Sequence, residues 1–340
     1  MPNVRFLGAE TNLSEIPYAE GARFDTEKRC LPGTRQEIIE EIIEWVNRPN
    51  DIAEARVLFL SGVAGSGKSA IAHTVALYFD QLGRLGSSFC FDRADQAKRR
   101  PDNLFSTIAF DLADLDPQWK ISLSQVVQGK RAVRTTRSPS EQFVTFILQP
   151  AKALTTTGPI IVVIDALDES GDRSSRKSIL DVIAKNASSL PVNFRIIITA
   201  RPEPDILDAL ENGRNHIFTK NMGSIDGISN DRDISMFIKT QLSDVPNFES
   251  EWPNRVAVTY FLNVQTGCSS IHGMSDHQRW RLWFASNGPC VLSSTRGLDG
   301  LYLAILSGHQ LARFPHHVTL QVSYGQNCGG KRTPLCVSSR

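Results

Sequence analysis

The chain has 340 residues, with 37 Lys and Arg against 36 Asp and Glu and a formal net charge of +1. This balance excludes the strongly basic composition expected of a protein that binds nucleic acid or a membrane surface. No segment reaches 18 uninterrupted apolar residues, and the first residues lack the apolar core of a signal peptide. The six cysteines form no C-x-x-C pair, which favours a reduced, cytoplasmic protein over a zinc or disulfide scaffold.

The first third of the chain predicts a tail, a helix and then a strand followed by a second helix. Residues 1–29 are polar and aperiodic, which predicts an N-terminal tail or linker. Residues 34–46 carry apolar side chains at helical spacing, with Thr34 as the predicted N-cap and Glu37 completing a capping box. The apolar run 57–60 predicts a short buried strand, and residues 70–82 predict a helix.

Between that strand and helix, residues 62–69 read G-V-A-G-S-G-K-S, a complete G-x-x-x-x-G-K-[ST] pattern. Its glycines allow backbone N–H groups to surround a polyphosphate at a helix N-terminus, which carries partial positive charge. Lys68 is expected to reach the β- and γ-phosphates, and the Ser69 hydroxyl to ligate Mg²⁺. An ordinary glycine-rich turn is the alternative. The predicted nucleotide-binding residues are Gly62, Val63, Ala64, Gly65, Ser66, Gly67, Lys68, Ser69 and Ala70.

The rest of the first 220 residues alternates strands with helices. Strands are predicted at 87–91, 159–164, 194–199 and 216–219, and helices at 103–115 and after Ser138, which has the sequence of a helix cap. This alternation predicts an α/β fold, a P-loop NTPase with a central parallel five-stranded sheet flanked by helices. An incomplete helical region and an irregular C-terminal tail are expected to follow. Ligands of such sheets bind at the carboxyl ends of the strands.

A second motif, residues 160–169, reads I-I-V-V-I-D-A-L-D-E, so that Asp165 leaves the carboxyl end of a buried strand. An aspartate at that place holds Mg²⁺ opposite Ser69, and Asp168 and Glu169 are positioned to orient or deprotonate an attacking water. Strand 194–199 leads to Arg201, whose guanidinium can stabilise transferred charge. We therefore predict Asp165, Asp168, Glu169 and Arg201 as catalytic, and Ser69 and Asp165 as metal ligands. A solvated acidic turn and a surface arginine are the alternatives.

Together these motifs resemble the NACHT branch of the STAND P-loop NTPases, the nucleotide-binding module of NOD-like receptors. The chain is also similar to a large fungal set with nephrocystin-3-like N-terminal domains, which residues 30–35, 62–69, 99–105, 164–170 and 199–204 match. The small Ala166 after Asp165, with a further acid at Asp168, is the discriminating feature. The resemblance covers about residues 25–254. It implies a cytosolic ATP/ADP switch with slow hydrolysis, acting in fungal non-self recognition or programmed cell death.

The resemblance also implies roles for individual residues. Lys68 and Ser69 would bind phosphate and Mg²⁺, Asp165 would hold the metal, Asp168 and Glu169 would support hydrolysis, and Arg201 would be the sensor. Residues 34–35 would lie near the adenine. In this class an ADP-bound form is closed and monomeric, and ATP exchange opens it for self-association through the NACHT domain.

The same resemblance predicts the domain limits. Residues 30–223 would form the NACHT core, and residues 224–254 would begin a helical domain. From residue 255 the family pattern is lost, apart from residues 296–306, and no winged helix or sensor repeats follow. We therefore expect residues 255–340 to be a divergent tail, disordered or translated from a wrongly assigned frame, in a truncated, repeat-less protein.

Three alternatives to a hydrolysing switch stay open. They are a nucleotide-binding interaction module without useful turnover, a truncated product without function, and a P-loop kinase, against which the D-A-L-D-E arrangement argues. The phosphate loop does not encode a preference for ATP over GTP. The sequence identifies no trigger, effector or protein partner.

Overall fold

The computed structural model describes residues 15–48, 55–95, 99–211 and 216–225, together with residues 13, 229, 232, 233, 235–237, 240, 324, 325, 333 and 334. The chain divides into two compact units, Met1–Phe237 and Ile238–Arg340. In the second unit, Tyr324–Gly325 and Thr333–Pro334 pair as two short antiparallel strands. The rest of the predicted tail, residues 255–340, lies outside the described residues.

A five-stranded parallel sheet forms the centre of the first unit. Its spatial order is β2-β3-β4-β1-β5, and every neighbouring pair runs parallel. The strands β1, β3 and β4 are buried along their whole length, because helices cover both faces of a parallel sheet. The five strands are β1 (Val57–Ser61), β2 (Leu85–Cys90), β3 (Ile160–Asp165), β4 (Phe194–Ala200) and β5 (Ile217–Asn221).

Six longer helices flank the sheet within the part of the chain that the structure describes. They are α1 (Gln36–Asn47), α2 (Lys68–Gln81), α3 (Leu104–Leu115), α4 (Pro117–Val127), α5 (Arg173–Asn186) and α6 (Pro204–Glu211). Short helical turns connect them: Thr26–Lys28, Arg93–Asp95, Pro101–Asn103, Arg131–Arg134, Pro139–Gln142, the π-helical Phe143–Leu148, Gln149–Ala151, Leu167–Glu169, Ala187–Ser189 and Met222–Ser224. The predicted α/β fold class is thus confirmed. No described helix has the length and apolar character needed to cross a bilayer.

Alternate residues along the strands feed two hydrophobic cores, one on each face of the sheet. Phe59 and Ile198 belong to the core that contains apolar residues of α3, α4 and α5. Leu60 and Ile197 belong to the core that contains apolar residues of α1 and α2. This alternation follows from the two-residue side-chain period of a strand. It fixes the register of β1 and therefore the point at which the phosphate loop leaves the sheet.

Residues 15–29, which we call the N-terminal segment, pack on the edge of the sheet, where the sequence pattern predicts a tail or linker. Ile16 and Ala22 are buried in one core and Phe24 in the other. The Cys90 N–H donates to the Ala22 carbonyl oxygen at 2.7 Å, so the segment covers the edge strand β2. Its apolar residues follow neither a helical nor a strand period, which is why the sequence gives no sign of this packing.

The start of α1 differs from the prediction. Thr34 is not its N-cap, because the Thr34 hydroxyl donates to the Leu31 carbonyl oxygen at 2.7 Å. Arg35 occupies the N-cap position in the left-handed region, with φ 56° and no side-chain cap. In contrast, the predicted cap at Ser138 is confirmed, since its side chain accepts from the Glu141 N–H.

Candidate nucleotide site

The phosphate loop lies between the end of β1 and the start of α2, where the sequence predicts it. Gly65 and Gly67 have φ of 74° and 93°, a region that favours glycine. A Cβ atom on Gly62 would lie 2.7 Å from the Cβ of Met222, so only glycine fits there. No side chain caps the N-terminus of α2. The uncapped N–H groups and the close backbone turn therefore form a cradle suited to an anion.

Lys68 is folded over this loop. Its Nζ donates to the carbonyl oxygens of Gly62 at 2.7 Å and of Val63 at 2.9 Å, and the residue is 8% exposed. Burial lowers the pKa of Lys68, while the nearby Asp168 raises it. The ammonium thus lies beside the loop and donates to backbone carbonyl oxygens, and phosphate oxygens of a ligand can take their place as acceptors.

Asp165 ends β3 in a buried position, as predicted, and its carboxylate is held by the neighbouring strand. The hydroxyl of Thr199, which lies near the end of β4, donates to Asp165 Oδ1. The same Thr199 oxygen accepts the Ala166 N–H at 3.0 Å. Ala166 has φ 55°, so the chain turns sharply directly after the aspartate. Thr199, which sequence reasoning missed, therefore fixes both the carboxylate and the turn.

The predicted acidic pair and the predicted arginine are brought together. Arg201 Nε lies 3.1 Å from Asp168 Oδ2, and the Arg201 N–H donates to Asp168 Oδ1 at 3.1 Å. Arg201 Nη2 is 3.9 Å from Glu169 Oε1. Asp168 is 4% exposed, whereas the Arg201 side chain is 41% exposed. The partly exposed Arg201 side chain therefore balances the charge of the buried Asp168 carboxylate.

A further arginine, which the sequence patterns did not single out, contacts the acidic loop, the turn after β3 that carries Asp168 and Glu169. The buried Arg176 of α5 donates from Nη1 to the Asp168 carbonyl oxygen at 3.0 Å. Its Nη2 pairs with Glu203 at 2.7 Å and with Asp205 at 3.0 Å. These three contacts join α5, the acidic loop and the start of α6. The only sequence signal is an arginine one helical turn after the N-cap Asp172.

A cavity of about 920 Å³ adjoins both motifs. Ser69, Asp165 and Glu169 contribute to its lining from the sheet side, and Asp25 and Lys28 of the N-terminal segment from the other. Ser69 and Asp165 present hard oxygen donors, the ligand type that Mg²⁺ prefers. The residues present therefore fit a magnesium ion between the phosphate loop and β3.

His73, Cys90 and Asp165 also form a compact buried cluster, with one donor atom from each within 4.8 Å of the others. A transition-metal site would need the imidazole nitrogen that faces the cluster as a ligand. His73 Nδ1 accepts the Asp25 N–H at 2.9 Å, so the proton of the neutral ring is on Nε2, the atom facing Asp165. Burial raises the pKa of the Cys90 thiol to about 12. This arrangement does not suit a soft metal.

Arg35 lies against the phosphate loop from the side of α1. Its Nη2 donates to the Ser66 carbonyl oxygen at 3.2 Å, and its backbone N–H donates to Asp233 Oδ2 at 2.9 Å. Residues 232, 233, 235–237 and 240 are helical and lie within 224–254, the range predicted to begin a helical domain. Arg35 thus contacts both the loop and the helical residues that follow β5.

The strand order, the glycine-rich loop after β1 and the acidic end of β3 define a P-loop NTPase-like protein with a nucleotide-binding fold. Residues 33–201 match the family model described as nephrocystin 3, N-terminal. No curated protein matches the chain. Similar solved structures include Caenorhabditis elegans PCH-2, at 14% identity over 82% of this chain and 69% of that one, with a TM-score of 0.36. Another is AMPPCP-bound DnaA from Aquifex aeolicus, at 11% identity over 85% and 82%, with a TM-score of 0.35.

Proposed function

We propose that this protein is an ATP-binding molecular switch of the NACHT type that hydrolyses its nucleotide slowly and acts in intracellular signalling. The observation that carries the proposal is the arrangement of two motifs around one cavity. Ser69 of the phosphate loop and Asp165 and Glu169 of the acidic motif all line it, although they lie about 100 residues apart in the chain. The narrower role, a fungal NOD-like receptor of non-self recognition or programmed cell death, rests on the resemblance of the motifs.

In this proposal each side chain has a task that its present contacts allow. Lys68 exchanges the carbonyl oxygens of the loop for β- and γ-phosphate oxygens, with the uncapped start of α2 adding backbone N–H donors. Ser69 and Asp165 hold Mg²⁺, which supplies positive charge to the phosphates when bound. Asp168 and Glu169 orient the attacking water, and the Arg201 guanidinium senses the γ-phosphate by contacting its charge.

Slow turnover follows from the state of the acidic pair. Asp168 is buried and both of its carboxylate oxygens are already bonded to Arg201, so one of these contacts must be released before the carboxylate can engage an attacking water. The same observation favours the second candidate, a nucleotide-binding interaction module without useful turnover. Single-turnover hydrolysis by the parent protein and by Asp168→Asn separates the two. A switch loses its slow hydrolysis in the variant, and a binding module shows none in either protein.

The switching itself would involve Arg35, whose side chain contacts the loop and whose backbone N–H and Nε both face Asp233 Oδ2, the latter at 3.9 Å. We propose that this contact belongs to the closed, ADP-bound form and that ATP exchange releases it for self-association. The division into a core (30–223) and the start of a helical domain (224–254) is part of the same proposal.

The direct test is nucleotide content. Purified protein is denatured, and the released nucleotide is identified by chromatography, with Lys68→Ala prepared in parallel. ADP or ATP in the parent and none in the variant supports the proposal and identifies the base. If the parent releases a guanine nucleotide, the base specificity in the proposal changes from adenine to guanine and the rest of the proposal stands. Parent protein that is folded, carries no nucleotide and takes up none when ATP and Mg²⁺ are added contradicts the proposal.

A further inference from the structure

His73 connects the N-terminal segment to the metal-binding end of the site. It lies one helical turn after Ser69 on α2, and both residues line the 920 Å³ cavity. Its Nδ1 accepts the Asp25 N–H at 2.9 Å, and its Nε2 lies 3.9 Å from Asp165 Oδ2. The side chains of His73 and Asp165 are each 4% exposed. The imidazole therefore fills the space between a backbone group of the N-terminal segment and the carboxylate.

The hydrogen bond at Nδ1 determines which ring nitrogen carries the proton. A nitrogen that accepts from a backbone N–H has no hydrogen of its own, so the ring is neutral and its single proton is on Nε2. That N–H faces Asp165 Oδ2, while Thr199 donates to Oδ1. Each carboxylate oxygen is thus approached from a different element, Oδ1 by β4 and Oδ2 by α2.

We propose that His73 is a positioning residue for the metal site: its Nε2–H orients Asp165 toward Mg²⁺, and the docked N-terminal segment holds His73 in the tautomer that does so. Thr199 hydrogen-bonds Oδ1 of the carboxylate, and the His73 N–H faces Oδ2 at 3.9 Å, outside hydrogen-bond distance. Outer contacts of this kind to a metal ligand tune metal affinity. The proposal rests on the function proposed above. It adds that the N-terminal segment, bonded to β2 at Cys90, is a structural component of the nucleotide site.

Two substitutions at His73 separate the hydrogen bond that it accepts from Asp25 from the N–H that it presents to Asp165. Asn at this position places its amide oxygen near the place of Nδ1, so it retains the acceptor for Asp25 and loses the donor to Asp165. Gln reaches the place of Nε2 with an amide N–H, so it retains the donor. The matched control is Thr74→Val. The Oγ1 of the neighbouring Thr74 accepts the N–H of Cys30, the residue directly after the N-terminal segment, at 2.8 Å, and Thr74 lies outside the cavity lining.

The experiment measures the affinity of a fluorescent ATP analogue in EDTA and during a Mg²⁺ titration. We expect His73→Ala and His73→Asn to raise the Mg²⁺ concentration at half-saturation by about tenfold, the low end for lost outer contacts to a metal ligand. Affinity in EDTA should remain that of the parent. His73→Gln should restore Mg²⁺ dependence toward the parent value, and Thr74→Val should match the parent in both conditions.

Two results would overturn the inference while leaving the proposed function intact. One is a Mg²⁺ midpoint in His73→Ala and His73→Asn that equals that of the parent. The other is an equal loss of affinity with and without Mg²⁺ in all His73 variants, which indicates a role in packing alone. If the parent itself binds no nucleotide, the proposed function fails and this inference fails with it.

Discussion

The two sides of the candidate site differ in how their polar groups are held. On the acidic side, Asp165 and Asp168 are bonded to side chains of other elements, those of Thr199 and Arg201. On the phosphate side, Lys68 and Arg35 donate to carbonyl oxygens of the loop itself. The acidic side is thus organised in advance, whereas the phosphate side must exchange its own hydrogen bonds for those of a ligand. Preorganised groups cost little reorganisation on binding.

The largest effect is expected on the acidic side, at Arg176. Arg176→Ala leaves Asp205 and Glu203 without their buried partner and should lower the free energy of unfolding by about 3 kcal/mol. Arg173→Ala is the control, since Arg173 is 79% exposed and lies 4.0 Å from the same Asp205. It should change stability by less than about 0.5 kcal/mol. Urea unfolding measures both variants, and equal losses would show that the acidic side is not organised through Arg176.

On the phosphate side, the expected effect is on binding and not on stability. Lys68→Ala removes a charged donor to phosphate and should weaken nucleotide binding by about 100-fold. Its unfolding free energy without nucleotide should remain close to that of the parent, because the substitution removes the cost of burying the ammonium together with its two hydrogen bonds to the loop. The control is Lys185→Ala, in the last turn of α5. Calorimetric titration and urea unfolding together test this, and a large loss of stability with unchanged binding contradicts the comparison.

Thr199 tests the acidic side without removing a charge. Thr199→Val keeps the shape and leaves Asp165 Oδ1 and the Ala166 N–H without this partner, so stability should fall by about 2 kcal/mol. Thr199→Ser keeps the hydroxyl and should recover most of that loss. Thermal or urea unfolding measures both, and a valine variant as stable as the parent would contradict the role of the hydroxyl.

The smallest effect is expected at Arg35, which contacts the loop from α1. Arg35→Ala removes the hydrogen bond to the Ser66 carbonyl oxygen and should speed nucleotide release by about fivefold. The control is Glu41→Gln on the same helix, because Glu41 pairs with Lys220 at 2.6 Å. Stopped-flow displacement of a fluorescent nucleotide gives the rates. Identical release rates from the parent and from Arg35→Ala would contradict a role for the Arg35 contact in the closed form.

The sequence predicts those parts of the site whose residues lie close together in one short stretch of chain. The phosphate loop and Asp165 each follow directly from a strand, so their place at the carboxyl edge of the sheet is a local property. Thr199 and His73 are different, because they reach Asp165 from residues 34 and 92 positions away, across the spatial order of the strands. Nothing in their neighbours along the chain marks those contacts.

The same distinction explains the two differences in the fold. Ile16, Ala22 and Phe24 pack on the sheet edge without periodic spacing, so a search for helices and strands misses them. The predicted cap at Thr34 is wrong because Arg35 adopts a left-handed conformation and its N–H donates to Asp233, 198 residues further on. A tertiary contact of that range outweighs a local capping preference.

The central claim is that the phosphate side and the acidic side act on one metal-bound nucleotide. The most direct test is a double-mutant cycle on the Mg²⁺ dependence of nucleotide binding, with Ser69→Ala, Asp165→Asn and the double variant. If both side chains hold the same ion, each single variant raises the Mg²⁺ midpoint and the double variant adds little to the larger single effect. Fully additive effects, or nucleotide binding that does not respond to Mg²⁺ in the parent, would contradict the claim.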